Sequence, residues 1–468
     1  MKMMHNRSTT IICLLAFISL LTAGPGNTAQ IAQANAGFSM STGDKSRSIT
    51  FNIPEYSIQE EFHLGSQFHR IVIDGAGSMA NIDEPDLPSF STFYAVDPAK
   101  QYEVSIDILE SEMHQNIHVF PKTTWKDEDP DPATPLSKKA SVYNSAKPIP
   151  EKMATISNRM VLRDLHIVSV TVTPFRYNSL TQELEIVTSA IIELTENSTA
   201  NNSSGTRRKP SRAFENLYRS FVVNYQRSSM EFQKPSILYI LPPNTSSIQS
   251  IINVLLDWRR EQGFEVNTAS TSDIGTSSGS IKNYIETAYT NWDNPPEYVV
   301  LVGDADGTYS IATHFEQWSN YSGEGDHPYS TLEGDDFLPE LLIGRLSFSN
   351  TTELTTIVNK ILKYEKTPYM GEEWFTRASL VGDISPSGIS CVTTNEYIRQ
   401  VLEGHGFDDV RTIYSGSHDT QLIADINDGV AYANYRGWIG MSGFDTGDIN
   451  NLNNGLMLPF ATFLTCGT

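Results

Sequence analysis

Cys466 and Gly467 come at the end of an apolar run, Leu458 to Leu464, that reads as a buried strand. A cysteine in a tight turn at the carboxyl edge of a parallel sheet stands where open α/β folds place nucleophiles and ligands. Its thiolate can attack a carbonyl. That chemistry also requires an imidazole to accept and return the proton, a group to orient the imidazole, and backbone donors for the oxyanion. Gly467 permits close approach and offers one such N–H. An earlier strand-to-glycine transition lies nearby, where the β-rich run Gly429 to Tyr435 enters Arg436-Gly437-Trp438-Ile439-Gly440. The residue presented there is Trp438, whose indole is a donor only and takes no proton from a thiol.

Other candidates are spread along the chain. Asp304, Asp306, Asp326, Asp335 and Asp336 are hard oxygen ligands suited to calcium, although none follows an EF-hand spacing and solvated acidic loops are the equal reading. No His/Cys cluster has zinc-ligand spacing. His405, between two glycines where a helix hands over to a strand, reads as a C-terminal cap, and His314 and His327 lie in a long loop.

The elements that position these residues change period near Pro235. Before it, Ser46 to Glu60, Phe62 to Asp74, Gln101 to Leu109, Val161 to Thr173 and Glu183 to Leu194 alternate apolar and polar residues, predicting an all-β sandwich. Pro174 to Thr181 reads as a connection, and Thr123 to Ile149 as a long loop. Asn197 to Ser211 is a polar linker holding Arg207-Arg208-Lys209, a place where a precursor could be cut, and Phe214 to Tyr225 is expected to pack onto the second domain. From Ser236 to Leu241 onward the pattern is strand, helix (Ser246 to Gln262), strand (Glu265 to Ala269), helix (Ser280 to Asn291), strand (Tyr298 to Val302). It resumes with Leu341 to Ile343, Thr351 to Lys366, Ala378 to Val381, Thr393 to Gly404, Asp409 to Ile413 and Thr420 to Asp428. Alternation of this kind predicts a mostly parallel sheet covered on both faces, with Ser236 to Leu241 beside Tyr298 to Val302.

A chain of 468 residues calls for two or three domains. Its formal net charge of −22 argues against nucleic acid and anionic membrane surfaces as partners. Lys2 to Arg7, the apolar run Ile11 to Leu21 and the small residues after it form a secretory signal pattern spanning residues 1–29, or alternatively 1–36. Removal of that leader leaves two cysteines, Cys391 and Cys466, too few for a disulfide scaffold. No later run is long enough to span a bilayer as a helix.

Several blocks, in order, resemble the gingipain-type cysteine peptidases. They are Gly303 to Gly307, Asp326 with Tyr329, Asp335-Asp336, Ile343-Gly344-Arg345, Leu380 to Asp383, Asn434-Tyr435, Gly437, Asp448-Ile449, Leu452 to Asn454, Leu458 to Phe460 and Cys466. The Leu87-Pro88 block and the strands about Pro174 resemble the family's N-terminal prodomain. The resemblance implies an α/β, mostly parallel caspase-like sheet domain preceded by an all-β, sandwich-like prodomain. It implies a prodomain over 37–200, a linker over 201–234, and two α/β halves over 235–370 and 371–468, the second expected to be incomplete. Residue by residue, the family nucleophile matches Cys466, the orienting acid Asp383, the histidine Trp438, and the substrate-pocket acid Cys391, whose thiol forms no bidentate pair with arginine. The expectation is an exported cysteine-type endopeptidase, secreted or at the cell surface, acting on a polypeptide. It needs no cofactor, with structural calcium as an option, and its alternative is an inactive binding or surface-assembly protein.

Overall fold

Period-two alternation builds two antiparallel layers in the N-terminal half. The structure, a computed structural model, describes residues 37–40, 48–73, 76–123, 135–197, 209–226, 231–243, 245–318, 321–366, 372–385, 388–441 and 443–466. The leader, most of the 197–211 linker, residues 124–134 of the long loop, and Gly467 lie outside that set. The chain divides into two units: residues 1–233 with Thr331–Glu340, and Lys234–Ser330 with 341–468.

In the first unit one sheet joins Phe38–Met40, Ser48–Asn52, Glu183–Asn197 and Phe175–Asn178, with Gln101–His114 also paired to Glu183–Asn197. The other joins Gly77–Ser78, Pro88–Ala95, Leu165–Val172 and Ala154–Ile156, with Met160–Leu162 on Leu165–Val172. Their inward faces share one core: Ile49, Phe51, Leu184 and Ile186 from the first, Phe90, Tyr94, Val168, Val170 and Val172 from the second. The Phe51 ring lies 5.1 Å from Phe38 and 5.5 Å from Phe90, so aromatic contact bridges the two layers.

Three details differ from the sequence reading. The expected connection at 174–181 contains a strand, Phe175–Asn178, which pairs back on Glu183–Ile186 because the Asn178 side chain accepts from Leu180 N and Thr181 N and turns the chain sharply. The helix Arg212–Phe221 belongs to the first unit, not the second. It is held there by the Tyr218 hydroxyl donating to Leu162 O, and by the Asn224 amide bonding both the N–H and the C=O of Ala95. The segment Thr331–Glu340 also folds with the first unit. Asp336 accepts from Val161 N at 2.8 Å. Arg163, 2% exposed and at φ 51°, donates to Glu340 O at 2.6 Å and to Gln233 Oε1 at 3.0 Å.

In the second unit β1 (Ser236–Leu241), β2 (Glu265–Ser270), β3 (Tyr298–Val302) and β4 (Leu342–Leu346) form a parallel sheet in the order β2-β1-β3-β4. β1 is buried throughout, as a central parallel strand must be, and it neighbours β3 as expected. The helices α1 (Gln249–Glu261), α2 (Ser278–Asn291) and α3 (Thr351–Lys366) accompany it. α1 and α3 are clasped by the Arg259 guanidinium on Glu365, at 2.5 and 2.8 Å. A second parallel sheet follows: β5 (Arg377–Gly382), β6 (Asp409–Ile413), β7 (Tyr432–Ile439) and β8 (Phe460–Cys466), in the order β6-β5-β7-β8. α4 (Ser390–Gly404) and α5 (His418–Asp428) connect its strands. β8 begins after Pro459, which lacks a ladder N–H, and runs two residues past the expected end to include Cys466. No helix among the described residues is long and apolar enough to cross a membrane, which says nothing of a β-barrel.

Candidate active site

β5, β7 and β8 are neighbouring parallel strands, so their carboxyl ends share one edge. Asp383 follows β5, and its N–H donates to Arg436 O at 2.9 Å, extending the β5–β7 ladder one step past Gly382. On the other side, Arg436 pairs with Leu464 and Ile439 with Cys466. Gly437 and Trp438 therefore face Thr465 alone, as a bulge in β7. Bulges of this kind re-aim side chains at strand ends beside active sites.

The bulge depends on Gly437 and Tyr435. The Tyr435 ring is fully buried, and its hydroxyl donates to Gly440 O under the turn. A Cβ on Gly437 would stand 2.0 Å from that hydroxyl, so only glycine lets the turn close over the phenol. Burial, followed by the nearby Asp383 and Cys391 charges, pushes the Tyr435 phenol up to about 12 and keeps it a donor at neutral pH. The Arg436 guanidinium spans the strand ends, donating to Gly437 O at 2.8 Å and Leu464 O at 3.3 Å.

The remaining sequence candidates fall as follows. Asp383 Oδ1 accepts from Ser385 N at 3.0 Å, so the carboxylate shapes its own turn. Cys391 is a buried thiol with 0% exposure in the first turn of α4, which starts at Ser390 rather than Thr393. Its side chain is thus enclosed at the position matched to the family's substrate-pocket acid. His405 caps the C-terminus of α4, at the opposite edge of the sheet from Cys466. The His314 ring stands edge-on to Tyr329 at 4.5 Å, and His327 Nδ1 lies 3.4 Å from Ser330 Oγ.

Among the acids, both Asp326 oxygens are taken by Arg345 at 2.8 Å, which already satisfies that carboxylate. Asp304 accepts from Ala305 N and the Ser347 hydroxyl, and Asp306 is exposed beside it. Asp336 accepts from Val161 N and Leu338 N, and Asp335 is exposed. Among the described residues no three His, Cys, Asp or Glu side chains converge as a metal site. The sequence reading missed Arg436, Tyr435 and the polar residues Asn395, Asn434 and Thr462 inside the same half. Asn434 carried the available signal, a polar residue at an inward position of a β-rich run.

Comparison with known proteins follows this geometry. Residues 231–468 match peptidase family C25, and residues 38–231 match the C25 propeptide. Gingipain R2 of Porphyromonas gingivalis is 25% identical over 411 residues, covering 82% of this chain and 54% of that protein. Lys-gingipain HG66 of the same organism is 22% identical over 408 residues, covering 82% of this chain and 23% of that protein. The crystal structure of the Arg-specific cysteine proteinase gingipain R aligns at 23% identity with a TM-score of 0.44, over 52% of this chain and 56% of that one. The chain thus spans about half the length of the gingipain R2 it matches. With more than half of its residues in the peptidase match and nearly all the described remainder in the propeptide match, the chain belongs to peptidase family C25, the gingipain-type cysteine peptidases, and carries that family's propeptide.

Proposed function

We propose that this chain is the propeptide and peptidase portion of an exported, gingipain-type cysteine endopeptidase that cleaves polypeptides slowly through Cys466. The observation that carries the reading is the strand edge, where Ile439 stands opposite Cys466 and Asp383 N bonds Arg436 O. In this mechanism the thiolate adds to the scissile carbonyl carbon, and the C–N bond breaks as the amine leaves with a proton taken from solvent water. Water then hydrolyses the thioester. Arg436, bonded to Leu464 O, brings a positive charge close to the nucleophile's strand end and favours the thiolate. Gly467 would supply an oxyanion N–H. Trp438 cannot relay the proton, and loss of a positioned base costs roughly 10²–10⁴ in rate.

That same residue favours a second reading, in which the edge binds polypeptide without turning it over. The test expresses the chain without its leader but with its propeptide in place and assays it on a mixed peptide library with calcium present, since Asp304 and Asp306 remain candidate calcium ligands. The unmodified protein is compared with Cys466→Ala and Trp438→His. Cleavage that is abolished by Cys466→Ala and raised about 100-fold or more by Trp438→His is the expected result. Silence in every variant, with peptide still bound, would replace the peptidase by the binding protein.

A further inference from the structure

The strand pair carrying Trp438 and Cys466 is crossed by a chain of buried polar groups that the peptidase chemistry does not use. The Thr462 hydroxyl of β8 donates to Asn434 Oδ1 of β7 at 2.6 Å, and the Asn434 amide donates to Asn395 Oδ1 of α4 at 2.7 Å. Because the Thr462 proton is committed to Asn434, the Tyr432 hydroxyl, 2.8 Å from Thr462 Oγ1, is the donor of that pair. Asn395, Asn434 and Thr462 are 0%, 1% and 7% exposed. The last donor, Asn395 Nδ2, has no hydrogen-bond partner among the described residues and lies 3.0 Å from where a Cβ would stand on Gly382, at the end of β5.

Burying these groups costs more than apolar side chains of similar shape would, but their hydrogen bonds close in only one arrangement. Backbone ladders between parallel strands are evenly spaced, so a two-residue slip of β8 along β7 would keep every side chain on its own face. The backbone alone therefore does not fix the register. Asn434 stands directly opposite Thr462. A slip would bring Phe460 or Leu464 against the Asn434 carboxamide and leave it unsatisfied. Four residues further along the two strands are Trp438 and Cys466.

We propose that Thr462, Asn434 and Asn395 are positioning residues, a register lock that sets how far β8 advances along β7 and hence where residue 466 emerges beside Trp438. The lock matters to function only on the reading that Cys466 is the reactive residue, but its test requires no turnover. Amide hydrogen exchange is followed in the full chain over peptides covering 432–439 and 460–466, with β1 to β4 as the internal reference. Thr462→Val keeps the shape and strands the Asn434 carbonyl, so exchange in both peptides should rise about tenfold or more while the reference strands stay unchanged. Thr462→Ser restores the hydroxyl and should remain within about threefold of the unmodified chain. Tyr432→Phe removes only the first link and should accelerate exchange less than Thr462→Val, which keeps the proposal testable if the valine variant does not fold. Alkylation of Cys466 by iodoacetamide should change about tenfold in Thr462→Val and stay near the unmodified rate in Thr462→Ser. No change in Thr462→Val, or equal acceleration in β1 to β4, would reduce the chain of polar groups to general packing and overturn the lock. If exchange behaves as expected while Trp438→His yields no cleavage, the peptidase reading falls and the lock stands. If cleavage occurs while exchange is unchanged, the lock falls and the peptidase reading stands.

Discussion

The two sheets of the C-terminal unit have one topology and two different carboxyl edges. In both, the first strand hands over to a neighbour on one side and then to a neighbour on the other, which makes the crevice between β1 and β3, or β5 and β7, the natural ligand position. The first sheet fills its edge with its own chain. Arg345 on β4 donates to Gly303 O at 3.0 Å and Ile311 O at 2.8 Å while gripping Asp326. At Gly303 a Cβ would stand 2.0 Å from Tyr309 O, so the segment after β3 lies directly over the strand end. The second sheet instead ends in the bulge that presents Trp438 beside the end of β8. Strand order therefore supplies two candidate sites, and the residues at the strand ends decide which one is closed.

Removing the closure should break the first edge without touching the second. Arg345, 14% exposed at its side chain, donates to Asp326 and to three backbone carbonyls that lose it when it is replaced, so Arg345→Met should cost about 3–5 kcal/mol in chemical denaturation. A loss below about 1 kcal/mol would show the clamp to be ornamental and the contrast between the edges to be false.

The N-terminal unit supplies a reference outside both sheets, because its sensitive group responds to pH. Burial first, then the adjacent Asp336 and Glu333 charges, push the Glu340 carboxyl up to about 8, against the pull of two backbone N–H groups. A carboxyl raised in the folded state keeps its proton where the unfolded chain has lost it. Its stabilising contribution is complete below about pH 4.5 and is lost as pH rises to about 8. Glu340→Gln should match the unmodified chain near the acid end and exceed its stability at the alkaline end, by something on the order of 2–3 kcal/mol. Parallel melting curves for the two proteins across that window would show that Glu340 carries no such linkage.

The smallest effect sharpens the second edge. Gly437→Ala pushes a methyl group into the Tyr435 hydroxyl and should cost about 1–3 kcal/mol, with hydrogen exchange accelerated in β7 and β8 but not in β1 to β4. Uniform destabilisation of both sheets would mean that the bulge is no separate device.

Much of this layout is readable from local pattern. β1, β3 and β6 and the helix α3 end where apolar periodicity places them, because each packs on nearby elements and carries its own start and stop signals. The adjacency of the Trp438 and Cys466 strand ends follows from two consecutive strand-to-glycine transitions. What the sequence hides depends on partners far along the chain. Asp326 shows in sequence only as an acid in a loop, and its pairing with Arg345, nineteen residues later, appears only in the fold. Cys391, matched to a pocket residue by resemblance, lies buried in the first turn of an α4 that starts three residues earlier than its periodicity suggests. Asn395, Asn434 and Thr462 are ordinary polar residues in sequence, and become one connected system only when a helix and two strands meet.

The turn at Arg163 bears on how the chain can be dissected. The guanidinium is buried, and its acceptors are supplied by Gln233 at the end of the first unit's long segment and by Glu340, which arrives about a hundred residues later. A fragment stopping at the boundary between propeptide and peptidase would lack Glu340 O and the Asp336 carboxylate over Val161 N. It would keep the cation beside Asp164, 3.5 Å away, but without its backbone acceptor, at a cost of roughly 1–3 kcal/mol. The first unit thus includes Thr331–Glu340, which the propeptide match, ending at residue 231, leaves out.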